Sequence, residues 1–267
     1  MQVIVSEEKE GLLAMNQEAK DSIKATKNGF EKSFKEGSLY NKQTQSEQHL
    51  NKILEILNIK EKNTVLDLGT GSGYLAFSMA KKHPEAEIIG LDIVEDALEE
   101  NRKKAINQNI KNVSFVSYDG IIFPFENDSF DFLTTRYALH HFPKIEETFF
   151  EIARVLKKGG HFFLADPTPN DDDLGRFVDE YMQMKKDGHI KYYTKDEFEA
   201  LAIKAGLKLT GLFQTKIRFP RTKESAVDLD EIMRRHDKKI IDGYEVKKDD
   251  KYVYITQNVL NLSFKKI

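Results

Sequence analysis

The residues best suited to chemistry fall in two clusters, the glycine-rich run Gly69-Thr70-Gly71-Ser72-Gly73 and the pair His140-His141. Glycine at alternate positions lets a backbone curl where a Cβ would obstruct it, so a ligand can come close to the main chain. The run precedes an expected helix, whose first turn offers unpaired N–H groups and the positive end of the helix dipole. Asp92 follows Gly69 by 23 residues. In a doubly wound sheet that offset puts a carboxylate at the tip of the neighbouring strand, where it can accept the protons of both ribose hydroxyls. A nucleoside is the expected ligand.

The spacing also separates kinds of nucleoside. A dinucleotide loop reads G-x-G-x-x-G, its third glycine allowing the helix close to a pyrophosphate. Here Tyr74 holds the sixth position and Gly73 comes one residue early. The pattern disfavours NAD and suits a ligand without phosphate, such as S-adenosyl-L-methionine, whose amino-acid part the loop can curl around.

These residues need a scaffold of alternating strands and helices. Thr64–Leu68, Glu87–Asp92, Val113–Val116, Phe130–Thr135 and His161–Ala165 read as short buried strands. Helices are expected between them: Leu75 to about His83, Glu95–Gln108, and Ile145–Leu156, the last closed by Lys157-Lys158-Gly159-Gly160. A helix over Ser46–Leu57 precedes the first strand. Such alternation predicts a parallel sheet covered on both faces. Past Asp166 the pattern loosens. Helices are expected over 173–186 and over 194–205, the second opened by a Thr194/Glu197 capping box. Leu207–Ile217 and Lys251–Phe264 read as antiparallel edge strands, and 218–250 is charged and gives no clear pattern. Residues 1–45 read as a helical cap carrying Phe30, Phe34 and Tyr40, set before a main domain of 46–267.

Val65-Leu66-Asp67-Leu68-Gly69-Thr70-Gly71-Ser72-Gly73 resembles the first motif of class I S-adenosylmethionine-dependent methyltransferases. Asp92 matches their ribose acid, and Asp119-Gly120 their acidic pair near the adenine amino group. Phe130-Asp131, Arg136-Tyr137-Ala138-Leu139-His140-His141-Phe142 and Arg154-Val155-Leu156-Lys157-Lys158-Gly159-Gly160 resemble the subgroup around the ubiquinone and menaquinone C-methyltransferases. They are most similar to its small bacterial members of unassigned substrate. The resemblance implies a Rossmann-like α/β fold with a seven-stranded, mostly parallel sheet in the order 3-2-1-4-5-7-6, strand seven antiparallel. It further implies a cofactor set of Asp67, Gly69, Thr70, Gly71, Gly73, Asp92, Ile93, Asp119, Gly120 and Arg136.

Methyl transfer from a sulfonium is an in-line displacement, for which a protein mainly supplies alignment and exclusion of water. A base is needed only where the acceptor loses a proton in that step. His140 and His141 follow the fourth strand and are the candidates for that role, or for orienting an acidic hydroxyl. The alternative is packing on the adenine side and capping of a helix. Arg136 suits a substrate carboxylate or the cofactor, and equally a structural salt bridge. Tyr40, Tyr137 and His189 are candidate acceptor-binding residues, with Tyr192 and Tyr193 near His189. Phe34 and Tyr40 are candidates either to close over a cationic sulfonium or to form the core of the cap.

Asp171-Asp172-Asp173 reads as a polar loop with a helix cap. With no cysteine and no His-x₃-His spacing, no metal site is expected. A formal charge of −3 leaves no footprint for nucleic acid or an anionic membrane. Even 216–251, with eleven Lys/Arg, carries nine Asp/Glu. After the fourth strand, Thr135-Arg136-Tyr137-Ala138 stands where enzymes that methylate base amino groups carry an Asn/Asp-Pro-Pro-aromatic tetrad. The expectation is a cytoplasmic monomer or homodimer that methylates a small molecule. A non-catalytic S-adenosylmethionine-binding protein and an NAD(P)-dependent oxidoreductase are the alternatives.

Overall fold

The computed structural model describes residues 17–35 and 45–267. Its centre is the expected sheet. Strands β1 (Thr64–Leu68), β2 (Glu87–Asp92), β3 (Val113–Ser117), β4 (Phe130–Arg136) and β5 (Leu156–Thr168) are mutually parallel. The long β6 (Leu207–Thr222) and β8 (Tyr252–Lys266) complete the order β3-β2-β1-β4-β5-β8-β6, with β8 antiparallel to both neighbours. An eighth, two-residue strand, β7 (Lys247–Lys248), adds to the seven expected and pairs with β8.

Successive side chains on a strand face opposite ways, and both faces of this sheet are buried. Leu66, Phe162, Leu164, Leu262 and Phe264 point to one side. There they pack under α5 (Ile145–Val155) and α7 (Lys195–Lys204), through Phe149 and Phe198. Val65, Ile88, Phe163 and Val259 point to the other. That side carries α2 (Glu47–Leu57), α3 (Tyr74–Lys82) and α4 (Glu95–Asn107), which contribute Ile53, Leu75 and Leu98. Ser46 caps α2 by accepting from the His49 amide at 3.3 Å. At α7 the Thr194/Glu197 capping box forms in both directions.

Two expectations need correction. Lys157–Gly160 do not close α5, because the chain passes straight into β5 at Leu156. Between the pairs Phe130↔Leu156 and Phe132↔His161 the register slips, and these residues form the bulge. The helix expected over 173–186 is only α6 (Phe177–Gln183), since the Asp173 carboxylate takes the amides of Phe177 at 2.8 Å and Val178 at 3.1 Å. The charged stretch 218–250 holds the end of β6, a 3-10 turn, β7 and two short helices, α8 (Leu229–Arg235) and α9 (Lys238–Gly243). Leu229, Ile232, Ile241 and Tyr244 from this stretch join Phe177 and Tyr181 in a third apolar cluster.

Helix α1 (Gln17–Lys35) is the described part of the expected cap. Two glycines let it dock closely. A Cβ on Gly29 would stand 2.8 Å from the Asp187 Cα, and one on Gly188 (φ +80°) 2.0 Å from the Thr26 Oγ1. Among the described residues, no helix is long and apolar enough to cross a membrane.

Candidate functional site at the carboxyl ends of the strands

The glycine loop is set by its neighbours on every side. Gly69, Gly71 and Gly73 all have positive φ. At Gly69 a Cβ would also come within 2.6 Å of the Ala138 Cβ, on the segment after β4. The amides of Gly69 and Thr70 donate to the Leu91 carbonyl at 2.8 and 3.2 Å, tying the loop to β2. Asp92, buried at the tip of β2, accepts from the Gly71 amide at 2.8 Å and the Val94 amide at 3.0 Å. From α4, Asn101 Nδ2 donates to the Gly71 carbonyl at 2.7 Å. Both ends of Gly71 are thus held, one by Asp92 and one by Asn101.

Beneath the loop lies Asp67. Its Oδ2 accepts from Thr70 Oγ1 at 2.7 Å and its Oδ1 from Thr134 Oγ1 at 3.0 Å. Burial pushes this carboxyl up to about 6 in spite of those bonds. Asp67 therefore ties together β1, the loop and β4.

A cavity opens above these strand ends. Its wall includes Asp67, Gly69, Thr70, Gly71, Asp92, Ile93, Gly120, Arg136, Tyr137 and His141, so the structure brings together most of the expected set. Gly73 stands off the wall at the start of α3, where a Cβ would meet the Phe77 ring at 2.7 Å. Asp119 also stands back, its Oδ1 accepting from the amides of Ile121 and Ile122 at 2.8 and 2.9 Å. Gly120 (φ +94°) reaches the wall, and a Cβ there would be 3.0 Å from Ile23 of α1. Arg136 lies over two rings, 4.1 Å from the Tyr137 centroid and 4.8 Å from that of Tyr74. Tyr137 itself has φ +56°, a conformation uncommon outside glycine and frequent at functional sites.

The histidines part company. His141 faces the cavity, its ring edge-on to Phe30 of α1 at 5.2 Å. Burial lowers it to about 3, with His140 adding to the effect, so the ring is neutral near pH 7. His140 turns inward, its Nδ1 lying 2.9 and 3.1 Å from the two oxygens of Asp166, at the end of β5. Burial pushes Asp166 up to about 8 and takes His140 well below its ordinary value, so the pair favours its uncharged form. His189 packs against both, centroids at 5.4 and 6.1 Å, and its Nε2 lies 2.9 Å from Asp179. Among the described residues, no group of His, Asp and Glu is arranged to hold a metal ion.

Tyr40 lies outside the described residues, as does the side chain of Phe34. Among the described residues of the cap, Ile23, Thr26, Phe30 and Gln45 reach the cavity. Sequence reasoning passed over Asn101, Tyr118 and Asp166. Asp166 had a signal, an acid at the end of a buried strand. Asn101 had none, since it acts through a contact with a distant segment, and Tyr118 is marked only by its place on the cavity wall.

Residues 59–217 match a family described as a methyltransferase domain. The uncharacterized methyltransferase YcgJ of Bacillus subtilis is 31% identical over 155 residues, 58% of this chain and 60% of that protein. A demethylmenaquinone methyltransferase of Thermus thermophilus is 31% identical over 125 residues, 46% of this chain and 56% of that one. The matched segments thus span somewhat under two thirds of these relatives. The crystal structure of Bacillus subtilis YcgJ superposes with a TM-score of 0.71 at 23% identity, covering 83% of this chain and 99% of that one. A protein of Bacillus halodurans, crystallised as a candidate methyltransferase, gives 0.73 at 24%, with 81% and 98% covered. At those identities the likeness is one of fold.

Proposed function

The chain belongs to the methyltransferase-domain family, and from that premise we propose that it binds S-adenosyl-L-methionine in the cavity over β1, β2 and β4 and methylates a small molecule. The observation that carries the reading is the pairing of the glycine loop with Asp92 across Gly71. The residues suit the ligand. The loop curls tightly enough for an amino-acid moiety, and Asp92 keeps acceptor capacity for ribose hydroxyls, since a carboxylate has about four acceptor positions. Ile93 and Tyr118 give the adenine an apolar border beside Gly120.

When bound, the cofactor supplies a sulfonium methyl group already activated for displacement. The protein's part is placement and dryness. We take residues 1–45 as a cap on a main domain of 46–267. Within that cap, Ile23, Thr26 and Phe30 roof the cavity and keep water from it. His141, neutral and at the wall, can accept a hydrogen bond from an acceptor hydroxyl but is a weak base. His140, held by Asp166, acts through its packing on His141, centroids 4.2 Å apart.

Calorimetry tests the reading. S-adenosylhomocysteine should bind with micromolar affinity and NADH should not. Tight NADH binding without a response to S-adenosylhomocysteine would overturn it. Radiolabelled methyl transfer into a panel of small acceptors then separates an enzyme from a protein that only binds the cofactor.

A further inference from the structure

Methylation of a neutral X–H group releases a proton. The acceptor atom bonds to the methyl carbon, the carbon–sulfur bond breaks with its electron pair going to sulfur, and the hydrogen on the acceptor must leave as a proton. Under a roof of Ile23, Thr26 and Phe30, His141 is the histidine at the wall to receive it. Only an unprotonated ring nitrogen can accept, so the tautomer of His141 decides whether it serves.

His141 belongs to two walls. It lines the cavity, and it also lines a small chamber bordered by His140, Asp187, Tyr192 and Gln257. The imidazole is itself part of the partition, so no passage between the two is required. Three buried polar atoms of these residues have no partner among the described residues: His141 Nδ1, Asp187 Oδ1 and Gln257 Nε2. Their residues are 8%, 4% and 1% exposed. The chamber measures about 20 Å³, room for one water, which needs roughly 10–15 Å³ and polar partners on several sides. We propose that Asp187, acting through one water in this chamber, holds His141 with its proton on Nδ1 and so keeps the Nε2 lone pair turned to the cavity. Asp187 and Gln257 are then positioning residues. The proton-accepting role of His141 rests on the methyltransferase reading; its tautomer does not.

The partners fix the direction of each hydrogen bond. Gln257 Oε1 accepts from the Tyr192 hydroxyl at 3.4 Å, which leaves Nε2, a donor, for the chamber. Asp187 is ionised. Burial works against its charge, but Lys185, 2.8 Å from Oδ2, and the neighbouring His141 hold it below the usual carboxylate range. A water here accepts from Gln257 and gives a hydrogen to Asp187 Oδ1. Its other lone pair, polarised by the carboxylate, calls for a second donor. Nδ1 of His141 is shut off from solvent, so it is the nitrogen on the closed side of the ring. A proton on Nδ1 meets that demand; a bare Nδ1 would set its lone pair toward the anion. Burial and the neighbouring His140 and His189 oppose charge on this ring, while Asp187 and the Gly188 backbone favour it. When Nε2 takes the acceptor's proton, the imidazolium therefore faces Asp187, which stays ionised. His140 is no substitute, since its Nδ1 already lies against Asp166.

Nitrogen NMR reads the tautomer directly. The full chain is labelled with nitrogen-15 in its histidines, and long-range hydrogen–nitrogen spectra near pH 7 tell a protonated ring nitrogen from a bare one. His141→Gln identifies the His141 signals. Wild type should show a proton on Nδ1 and a bare Nε2. Asp187→Asn and Gln257→Leu should each shift the tautomer ratio about tenfold toward a proton on Nε2, as expected for loss of a charge-assisted contact. Thermal melts check folding, and Gln257→Leu carries the test if Asp187→Asn unfolds. A proton on Nε2 in wild type would overturn the proposal. So would an unchanged ratio in the folded variants, which is what an Asp187 that only braces its own loop would give. Calorimetry with S-adenosylhomocysteine on the same wild-type sample keeps the two readings apart. A failed tautomer test with S-adenosylhomocysteine bound leaves the methyltransferase reading standing. The expected tautomers without any S-adenosylhomocysteine binding support the assignment of Asp187 and sink that reading instead.

Discussion

Replacing Asp92 by alanine probes the site at the one side chain that serves both the loop and the proposed ligand. Burial raises its carboxyl above the ordinary range, against hydrogen bonds from the amides of Gly71, Val94 and Ile93. What remains of its acceptor capacity is what a ribose would use. A hydrogen bond to a charged group is worth about 1.5–3 kcal/mol, and about 1.4 kcal/mol is tenfold in Kd. Loss of even one such bond predicts at least tenfold weaker binding of S-adenosylhomocysteine by calorimetry. Stability should fall less, because removing a buried carboxylate offsets part of what the orphaned Gly71 and Val94 amides cost. Asp92→Asn keeps an oxygen for Gly71, so it should melt closer to wild type while still binding poorly. Folded variants whose Kd stays within twofold of wild type would refute the reasoning and reduce Asp92 to a clamp on its own loop.

Three further outcomes follow from the same geometry. Amides of residues 20–35 in α1 should exchange more slowly once S-adenosylhomocysteine is bound, and equal protection in both states would show a helix docked permanently rather than a gate. Gly188→Ala puts a methyl where Thr26 Oγ1 now stands. Overpacking of this kind costs about 1–3 kcal/mol, so the melting temperature should drop and α1 should exchange faster without ligand; unchanged exchange there would contradict the packing. Finally, His141 is lowered from 6.5 to about 3 by burial, so between those values the unfolded chain binds a proton that the folded one does not. Its contribution to stability is complete above pH 6.5 and is lost as pH falls toward 3. At about 1.36 kcal/mol per pH unit, that is about 2 kcal/mol by pH 5. His141→Gln should flatten this part of the stability profile measured by urea unfolding, and an identical slope in both proteins would rule out the burial argument.

What could be read in advance was what depends on neighbours along the chain. Thr64–Leu68 and Glu87–Asp92 are short runs built on Val, Leu and Ile, and their bounds were legible to the residue. The glycine loop, Asp92 and the Thr194/Glu197 cap announce themselves through spacing. Lys157-Lys158-Gly159-Gly160 misled because lysines and glycines that suit a helix end suit a β-bulge equally well. Helices α8 and α9 are too short, at 7 and 6 residues, for their apolar side chains to establish a period. The tie from Asn101 to Gly71 and the packing of His189 on His140 and His141 join segments far apart in sequence, and no local pattern encodes them.

The position of β8 bears on how the molecule assembles. β5 and β6 never touch as ladder partners; each bonds to β8, which lies between them. Strands β1 to β5, with the glycine loop and Asp92, can reach their final arrangement from contacts among themselves. β6 has no place in the sheet until Tyr252–Lys266 has been threaded beside β5, and pairing over such long separations is slow. The glycine-loop half of the sheet is therefore an early folding unit and the β8–β6 edge a late one. Peeling β8 away by force or mild denaturant would release the β6 edge first, while the loop around Gly71 kept its form.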